Sequence, residues 1–212
     1  MPRYYPICLR LVGADCLVVG GGKVALRKAR SLIEAEADVR VVSREFCPEL
    51  ATLDGVHLIQ HPFEEADVEG AALVYAATDD PELNSRVARA ARAAGALVNV
   101  VDTPAECDFI VPSTLVRDRL TVSISSGGAA PALSRRLRLE LEEQFPKSLG
   151  NFVGLLAELR CTILERVPEA PRRGTIFRTL AERTTWDLFE REGPDAVRRL
   201  AHRLVGQGAG TD

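Results

Sequence analysis

The stretch Cys16-Leu-Val-Val-Gly20-Gly21-Gly22-Lys-Val-Ala25 puts a dense apolar run, three glycines and the start of a helical pattern into ten residues. A run this apolar predicts a strand buried on both faces, and the spacing after it reads G-x-G-x-x-A. In such a turn the first glycine permits the tight bend and the second lets a phosphate approach bare backbone. Ala25 lets the following helix pack close to the strand. A helix N-terminus presents unpaired N–H groups and the positive end of its dipole, so the turn suits the pyrophosphate of a dinucleotide. Glycine turns also join strands to helices with no ligand, and context separates the cases. Here a strand precedes and a helix follows.

On either side of this turn the first half of the chain alternates strand and helix patterns. A helix is expected from about Lys23 to Glu36, with Ala25, Ala29, Leu32 and Ile33 on one face. Val39–Val42, Val56–Ile59, Ala71–Ala76 and Ala96–Val101 read as further strands. Asp80 is an N-cap candidate and Pro81 a first helical residue for a helix running through Ala94, which Gly95 ends. Apolar strands separated by helices predict an α/β fold: a Rossmann-like parallel sheet covered on both faces. The pattern then changes. Phe109–Val111 reads as a strand, Arg117-Asp-Arg119 as a turn into Leu120–Ile124, and Ala132–Gln144 as a helix. From Asn151 the chain reads as helical to near Gly206, with a break around Pro168–Gly174. Three parts are expected: a dinucleotide-binding domain over 1–112, a linking and dimerisation segment over 113–149, and a helical C-terminal domain over 150–212. The closing run Gly206-Gln-Gly-Ala-Gly-Thr-Asp212 is expected to be disordered.

Composition narrows the function classes. The formal net charge is −3 over 212 residues, which offers no broad cationic surface for nucleic acid or membrane. The early apolar stretch is interrupted by Arg10 and Asp15, and no apolar run is long enough to span a bilayer. The expectation is a soluble, cytoplasmic protein. Five cysteines (8, 16, 47, 107, 161) are odd in number and form no Cys-x-x-Cys pair, so neither a zinc knuckle nor a disulfide framework is indicated. His57, His61 and His202 make no metal site by spacing.

Asp102 is the candidate catalytic residue. It follows the strand that ends Asn99-Val-Val, at the sheet edge where doubly wound folds bind ligands. A carboxylate there can take a proton while hydride leaves to a nicotinamide, or help deprotonate a nitrogen before metal insertion. A turn or N-cap aspartate suits the position equally. Gly20, Gly21, Gly22, Lys23 and Val24 are candidates for holding the dinucleotide, with Thr78 at the end of the fourth strand. Ser43, Arg44 and Glu45 stand where an acidic residue ordinarily reads the ribose diol, and Arg44 could contact a 2′-phosphate instead. A second turn, Ser125-Ser126-Gly127-Gly128, has the N–H groups and hydroxyls to hold a carboxylate or phosphate. It also reads as an ordinary Ser/Gly turn. Arg135, with Arg136 and Arg138, could pair with substrate carboxylates or simply line a solvated helix face.

In order along the chain stand Tyr5-Pro6-Ile7, Val18-Val-Gly-Gly-Gly22 with Ala25, Arg27-Lys28-Ala29, Ala76-Ala-Thr-Asp-Asp80 with Leu83-Asn84, Asn99-Val-Val-Asp102, Phe109-Ile-Val-Pro-Ser113, and Ser125-Ser-Gly-Gly128 with Pro131. Together, over residues 4 to 150, these resemble the precorrin-2 dehydrogenase / sirohydrochlorin ferrochelatase family. The resemblance implies oxidation of precorrin-2 to sirohydrochlorin with NAD as cofactor, and in bifunctional members insertion of Fe2+ to give siroheme. It implies that Asp102 is the key aspartate of both steps, that Ser126 lies at the tetrapyrrole site, and that the chain is a homodimer. No methyltransferase domain follows, so the stand-alone form is expected, supplied with precorrin-2 by a separate uroporphyrinogen methyltransferase. Two rival readings are an NADP-dependent oxidoreductase on another substrate, with Arg44 reading the 2′-phosphate, and a non-catalytic dinucleotide- or tetrapyrrole-binding protein.

Overall fold

The computed structural model describes residues 4–206. In chain order the first half contains β1 (Asp15–Val19), α1 (Lys23–Ile33), β2 (Asp38–Ser43), the short α2 (Pro48–Ala51), β3 (Val56–Gln60), β4 (Leu73–Ala76), α3 (Pro81–Ala93) and β5 (Leu97–Val100). The strands form one parallel sheet in the order β3-β2-β1-β4-β5. Cys16 to Val19 are at most 2% exposed because helices cover both faces. Alternation sends Leu17 and Val19 toward Val87, Ala88 and Ala91 of α3, and Cys16 and Val18 toward Ala25, Ala29 and Leu32 of α1.

Local chemistry sets the ends of these elements. The Asp80 carboxylate accepts from the N–H groups of Glu82 and Leu83, and Pro81 supplies a preset first helical φ, so α3 starts where the sequence predicted. The first helix stops at Ile33, three residues short of expectation. Glu36 turns left-handed at φ 60°, and Ala37 donates back to the Leu32 carbonyl. The sheet order changes direction between β1 and β4, which makes the carboxyl ends of these strands the ligand-binding edge of this fold class. Val19 is level with Ala76, and Ala76 with Val100, so the residues after β1, β4 and β5 emerge along one rim.

The chain divides into two compact units. The first runs to Val111 and takes in Gly127–Ala129; the second holds Pro112–Ser126 and continues from Ala130. In the second unit β6 (Ser113–Arg117) and β7 (Leu120–Ile124) form an antiparallel hairpin, followed by α4 (Pro131–Gln144), α5 (Lys147–Arg166), α6 (Ala170–Leu180), α7 (Arg183–Glu192) and α8 (Pro194–Gly206). Phe152, Leu155, Leu159 and Ile163 recur at helical spacing along α5. They pack with Ile176, Leu180, Val197 and Ala201 of α6 and α8, and Phe152 also meets Trp186 and Phe189 of α7 edge-on and tilted.

Three expectations are corrected. Phe109–Val111 is not a strand: the Phe109 carbonyl takes the Asn99 side-chain amide at 2.9 Å in place of a ladder bond, and Pro112 has no N–H to offer. The unforeseen strand is β6, just beyond. The helical tail is broken at Val167–Glu169 and again at Ala181–Glu182 and Gly193, while Pro171 sits inside the first turn of α6, where proline is tolerated. Of the closing stretch, Gly206 ends α8, and residues 207–212 lie outside the described residues.

Candidate functional site

The three glycines after β1 stand in three different situations. Gly20 has φ 132°, and a Cβ on it would lie 2.4 Å from the Ala77 carbonyl oxygen, so the close approach of the segments leaving β1 and β4 leaves room only for glycine. Gly21 has an ordinary backbone, yet a Cβ there would lie 1.7 Å from the Glu45 carbonyl oxygen and 2.7 Å from Ser43 Oγ. The loop after β2 is therefore pressed against the turn. Its position is fixed by Cys47 N–H donating to the Gly21 carbonyl at 2.7 Å and by Gln60 Nε2 donating to the Arg44 carbonyl at 3.1 Å. Gly22 is the N-cap of α1 at φ −90°, and a Cβ there would meet nothing within 4 Å. No packing or backbone demand of the protein calls for glycine at 22; the space in front of it is open to a ligand.

Lys23 is exposed and Val24 half-buried at the start of α1. The Arg44 side chain is exposed, and among the described residues it has no ion-pair partner. At the end of β4 the Thr78 hydroxyl is already occupied. It donates to Asn84 Oδ1 at 2.7 Å and accepts from Asp80 N–H at 3.2 Å, while Asn84 Nδ2 returns a bond to the Thr78 carbonyl at 3.0 Å. Thr78 thus shapes the rim with its side chain, its O–H donor committed to this loop. Asn84, only 6% exposed, holds that loop, and sequence reasoning did not assign it this role. The signal was present: an amide at the buried i, i+3, i+4, i+7 positions shared with Val87, Ala88 and Ala91.

Asp102 lies two residues past β5, exposed, with φ 59°. A left-handed backbone costs a non-glycine residue on the order of 1 kcal/mol, less for aspartate than for most, and such strain concentrates at functional turns. Two strand spacings separate β1 from β5, so Asp102 and the glycine turn share the rim at a separation on the order of 10 Å. On the α1 side of β4, Lys28 Nζ stands 4.8 Å over the Tyr75 ring, which meets Phe109 edge-on at 5.5 Å. Burial holds the Lys28 ammonium below the usual lysine range, helped by nearby Arg27, and burial pushes the Tyr75 hydroxyl up to about 12.

The remaining candidates lie along the second glycine turn and in the second unit. Ser126 Oγ accepts from Ala130 N–H at 2.9 Å, and Gly127 and Gly128 both take positive φ. Arg136 and Arg138 pair along α4 with Glu140 and Glu142, whereas Arg135 is exposed and has no ion pair among the described residues. His61 bonds the Pro62 carbonyl and lies 3.5 Å from Asp67. Among the described residues no group of three or more His, Cys, Asp or Glu side chains is arranged to hold a metal ion, and no helix is long and apolar enough to cross a membrane.

Comparison with known proteins gives a consistent picture. A family model described as "Putative NAD(P)-binding" matches residues 7–113, and one described as "Sirohaem biosynthesis protein central" matches residues 117–144. The chain is 39% identical over 211 residues to a siroheme synthase of Thioalkalivibrio sulfidiphilus, covering 98% of this chain and 43% of that one. It is 43% identical over 207 residues to a siroheme synthase of Pseudomonas aeruginosa PAO1, covering 96% and 44%. The chain therefore spans less than half the length of these curated relatives. A solved structure titled "SirC, precorrin-2 dehydrogenase" shares the fold, with a TM-score of 0.77 and 22% identity over 94% of this chain and all of that one. With half of its length under the first of the two family models, and the glycine turn inside that half, this chain belongs to the NAD(P)-binding family.

Proposed function

We propose that this chain oxidises precorrin-2 to sirohydrochlorin with NAD+, as a homodimer in the cytoplasm, on precorrin-2 supplied by a uroporphyrinogen methyltransferase. The observation that carries the reading is the rim of the parallel sheet, where an open glycine turn and a carboxylate on a left-handed corner stand on strand ends two spacings apart. The nicotinamide supplies the hydride acceptor when NAD+ is bound. Gly22 fits the pyrophosphate, since the space a Cβ would fill there is free, and the N–H groups that open α1 face it. Ser43 and Arg44 flank the ribose end, and Lys23 adds a cation beside the phosphates. Asp102 takes the proton that leaves the tetrapyrrole as its hydride departs, and the proton then passes to water. Ser125, Ser126, Gly127, Gly128 and Arg135 are proposed to meet the substrate's carboxylates. The segment 113–149 is proposed to pair the two copies, with 150–212 as a helical domain.

The relatives' shared name supports a second step, insertion of Fe2+ as substrate into sirohydrochlorin, with Asp102 accepting pyrrole protons. The exposed Arg44, with no ion-pair partner among the described residues, favours one alternative on the cofactor side, a 2′-phosphate and so NADP. The test is anaerobic incubation of the protein with precorrin-2 and either NAD+ or NADP+, following reduced cofactor and the sirohydrochlorin spectrum, with Fe2+ added after oxidation ends. Asp102→Asn keeps a residue that tolerates positive φ and removes the base, and its rate is expected to fall roughly 10²–10⁴-fold. Wild-type rates from this variant would remove Asp102 from the mechanism, and no reduced cofactor from the parent protein would end the dehydrogenase reading.

A further inference from the structure

The turn that carries Asp102 is fastened from the inside by a sulfur atom. β5 is the last strand of its sheet, so the N–H groups on its outer side have no strand to donate to. The chain returns along that edge after the 3-10 turn at Pro104–Glu106 and fills the missing positions with side chains. Val98 N–H donates to Asp108 Oδ2 at 3.0 Å, and Asp108 N–H donates back to the Val98 carbonyl at 2.8 Å. Arg92 Nε holds the other Asp108 oxygen at 3.0 Å. One step further along, Val100 N–H donates to Cys107 Sγ at 3.2 Å. The Cys107 thiol in turn reaches the Val100 carbonyl at 3.2 Å and the Thr103 carbonyl at 3.4 Å, with Asn99 Nδ2 at 3.6 Å from the same sulfur. Val100 and Thr103 bracket Asp102 on either side. The one main-chain bond across the corner, Thr103 N–H to the Val100 carbonyl, is long at 3.3 Å. The sulfur is thus a common anchor for both arms of a turn whose crest sits at φ 59°.

We infer that Cys107 is a positioning residue for Asp102: its thiol stands in for the absent neighbouring strand and holds the left-handed corner that aims the carboxylate along the rim. This rests on the reading of Asp102 as the proton acceptor. A thiol serves because it accepts from one N–H and donates to a carbonyl while its large radius spans the turn. Burial keeps that thiol above the ordinary cysteine range, in the protonated form that donates. Valine at this position would fill comparable space with no polar bond, whereas serine would keep both bonds in a smaller atom.

The experiment measures precorrin-2-dependent NADH formation by Cys107→Val, Cys107→Ser, Asp102→Asn and the double variant Cys107→Val/Asp102→Asn, with NAD+ affinity read separately by thermal shift. A displacement of about 1 Å in a catalytic group costs on the order of 10²-fold. Cys107→Val is therefore expected to lower kcat roughly 10- to 100-fold with NAD+ affinity within about twofold of the parent, and Cys107→Ser to recover most of the loss. In the Asp102→Asn background Cys107→Val is expected to have no further effect, because the group it positions is gone. An unchanged kcat in Cys107→Val, or an equal loss in both backgrounds, would overturn the inference. Full activity in Asp102→Asn alone would instead overturn the assignment of the base, and the positioning role with it. If Cys107→Val does not fold, Cys107→Ala takes its place in the same two-background comparison.

Discussion

Substituting alanine for Gly22 separates a glycine the fold requires from one the ligand requires. The backbone at Gly22 is within reach of any residue, and its Cβ direction is empty to 4 Å. Alanine is a poorer N-cap than glycine, but it also removes chain entropy from the unfolded state, about 0.4–1 kcal/mol in its favour. The two effects offset, so the apo protein is expected to keep its stability within about 1 kcal/mol. Binding behaves differently. A methyl group in front of the α1 N-terminus pushes the pyrophosphate off the N–H groups, and losing one or two charge-assisted hydrogen bonds costs about 3 kcal/mol, roughly 100-fold in affinity. At an NAD+ concentration about 100 times the parental Kd, ligand stabilisation drops from about 2.7 to about 0.4 kcal/mol. For a chain of this length that is a fall in the NAD+-induced Tm shift from roughly 5–11 °C to about 1 °C. Thermal melts with and without NAD+ measure both quantities in one instrument. Gly21→Ala is the companion, since its Cβ collides with the Glu45 carbonyl, and its Tm is expected to fall before any ligand is added. A full NAD+-induced shift in Gly22→Ala would refute the placement of the pyrophosphate.

Two further outcomes follow from the packing. Burial pushes the Cys16 thiol from 9.0 up to about 11, so above pH 9 the native state holds a proton that the unfolded chain releases, and stability falls as pH rises. Between pH 9 and pH 10 this removes about 1 kcal/mol from the parent protein, a loss that denaturant titrations should find missing in Cys16→Ala; equal slopes for the two proteins would dismiss the thiol as its source. In α5, Gly150→Ala would ordinarily gain about 1 kcal/mol of helix propensity, but its Cβ would lie 2.8 Å from the Arg117 carbonyl oxygen of the hairpin turn. The variant is expected to melt earlier, by about 1–3 kcal/mol, and a rise in Tm would show that the hairpin yields freely to the helix.

The parallel sheet was legible because its central strands are largely buried on both faces, and Cys16–Val19, with Val39, Val41 and Val42, leave little choice but burial. The two-sided packing of α1 and α3 followed from the same runs. The candidate residues were legible as positions on a sheet edge, but not as conformations. Three consecutive glycines look alike on paper, and only the chain at Ala77, just past the parallel neighbour β4, and the returning loop at Glu45 distinguish them. The φ of Asp102 depends on Cys107, five residues later, which reads as a solitary cysteine with no motif. Phe109-Ile-Val has strand composition, yet its hydrogen bond is taken by an asparagine side chain on the neighbouring strand, a long-range choice that local propensity does not encode. The break at Gly193 carried a local signal that went unused, a glycine at φ 80° followed by Pro194 at the start of α8, whereas Ala181–Glu182 has no glycine or proline to mark it.

The edge of β5 also bears on how this chain can change over time. Between Val100 and Cys107 the return path has one spacing that brings a sulfur opposite one amide, and Asp108 follows opposite the next accessible one. Substitutions that keep the anchors leave this spacing intact, but a single inserted or deleted residue moves both anchors off their amides together and turns Asp102 away from the rim. Residues 101–107 are therefore expected to tolerate a change of side chain away from the anchors better than a change of length, and loop grafting or circular permutation that breaks the chain there loosens the end of the sheet and the corner of the site in one step.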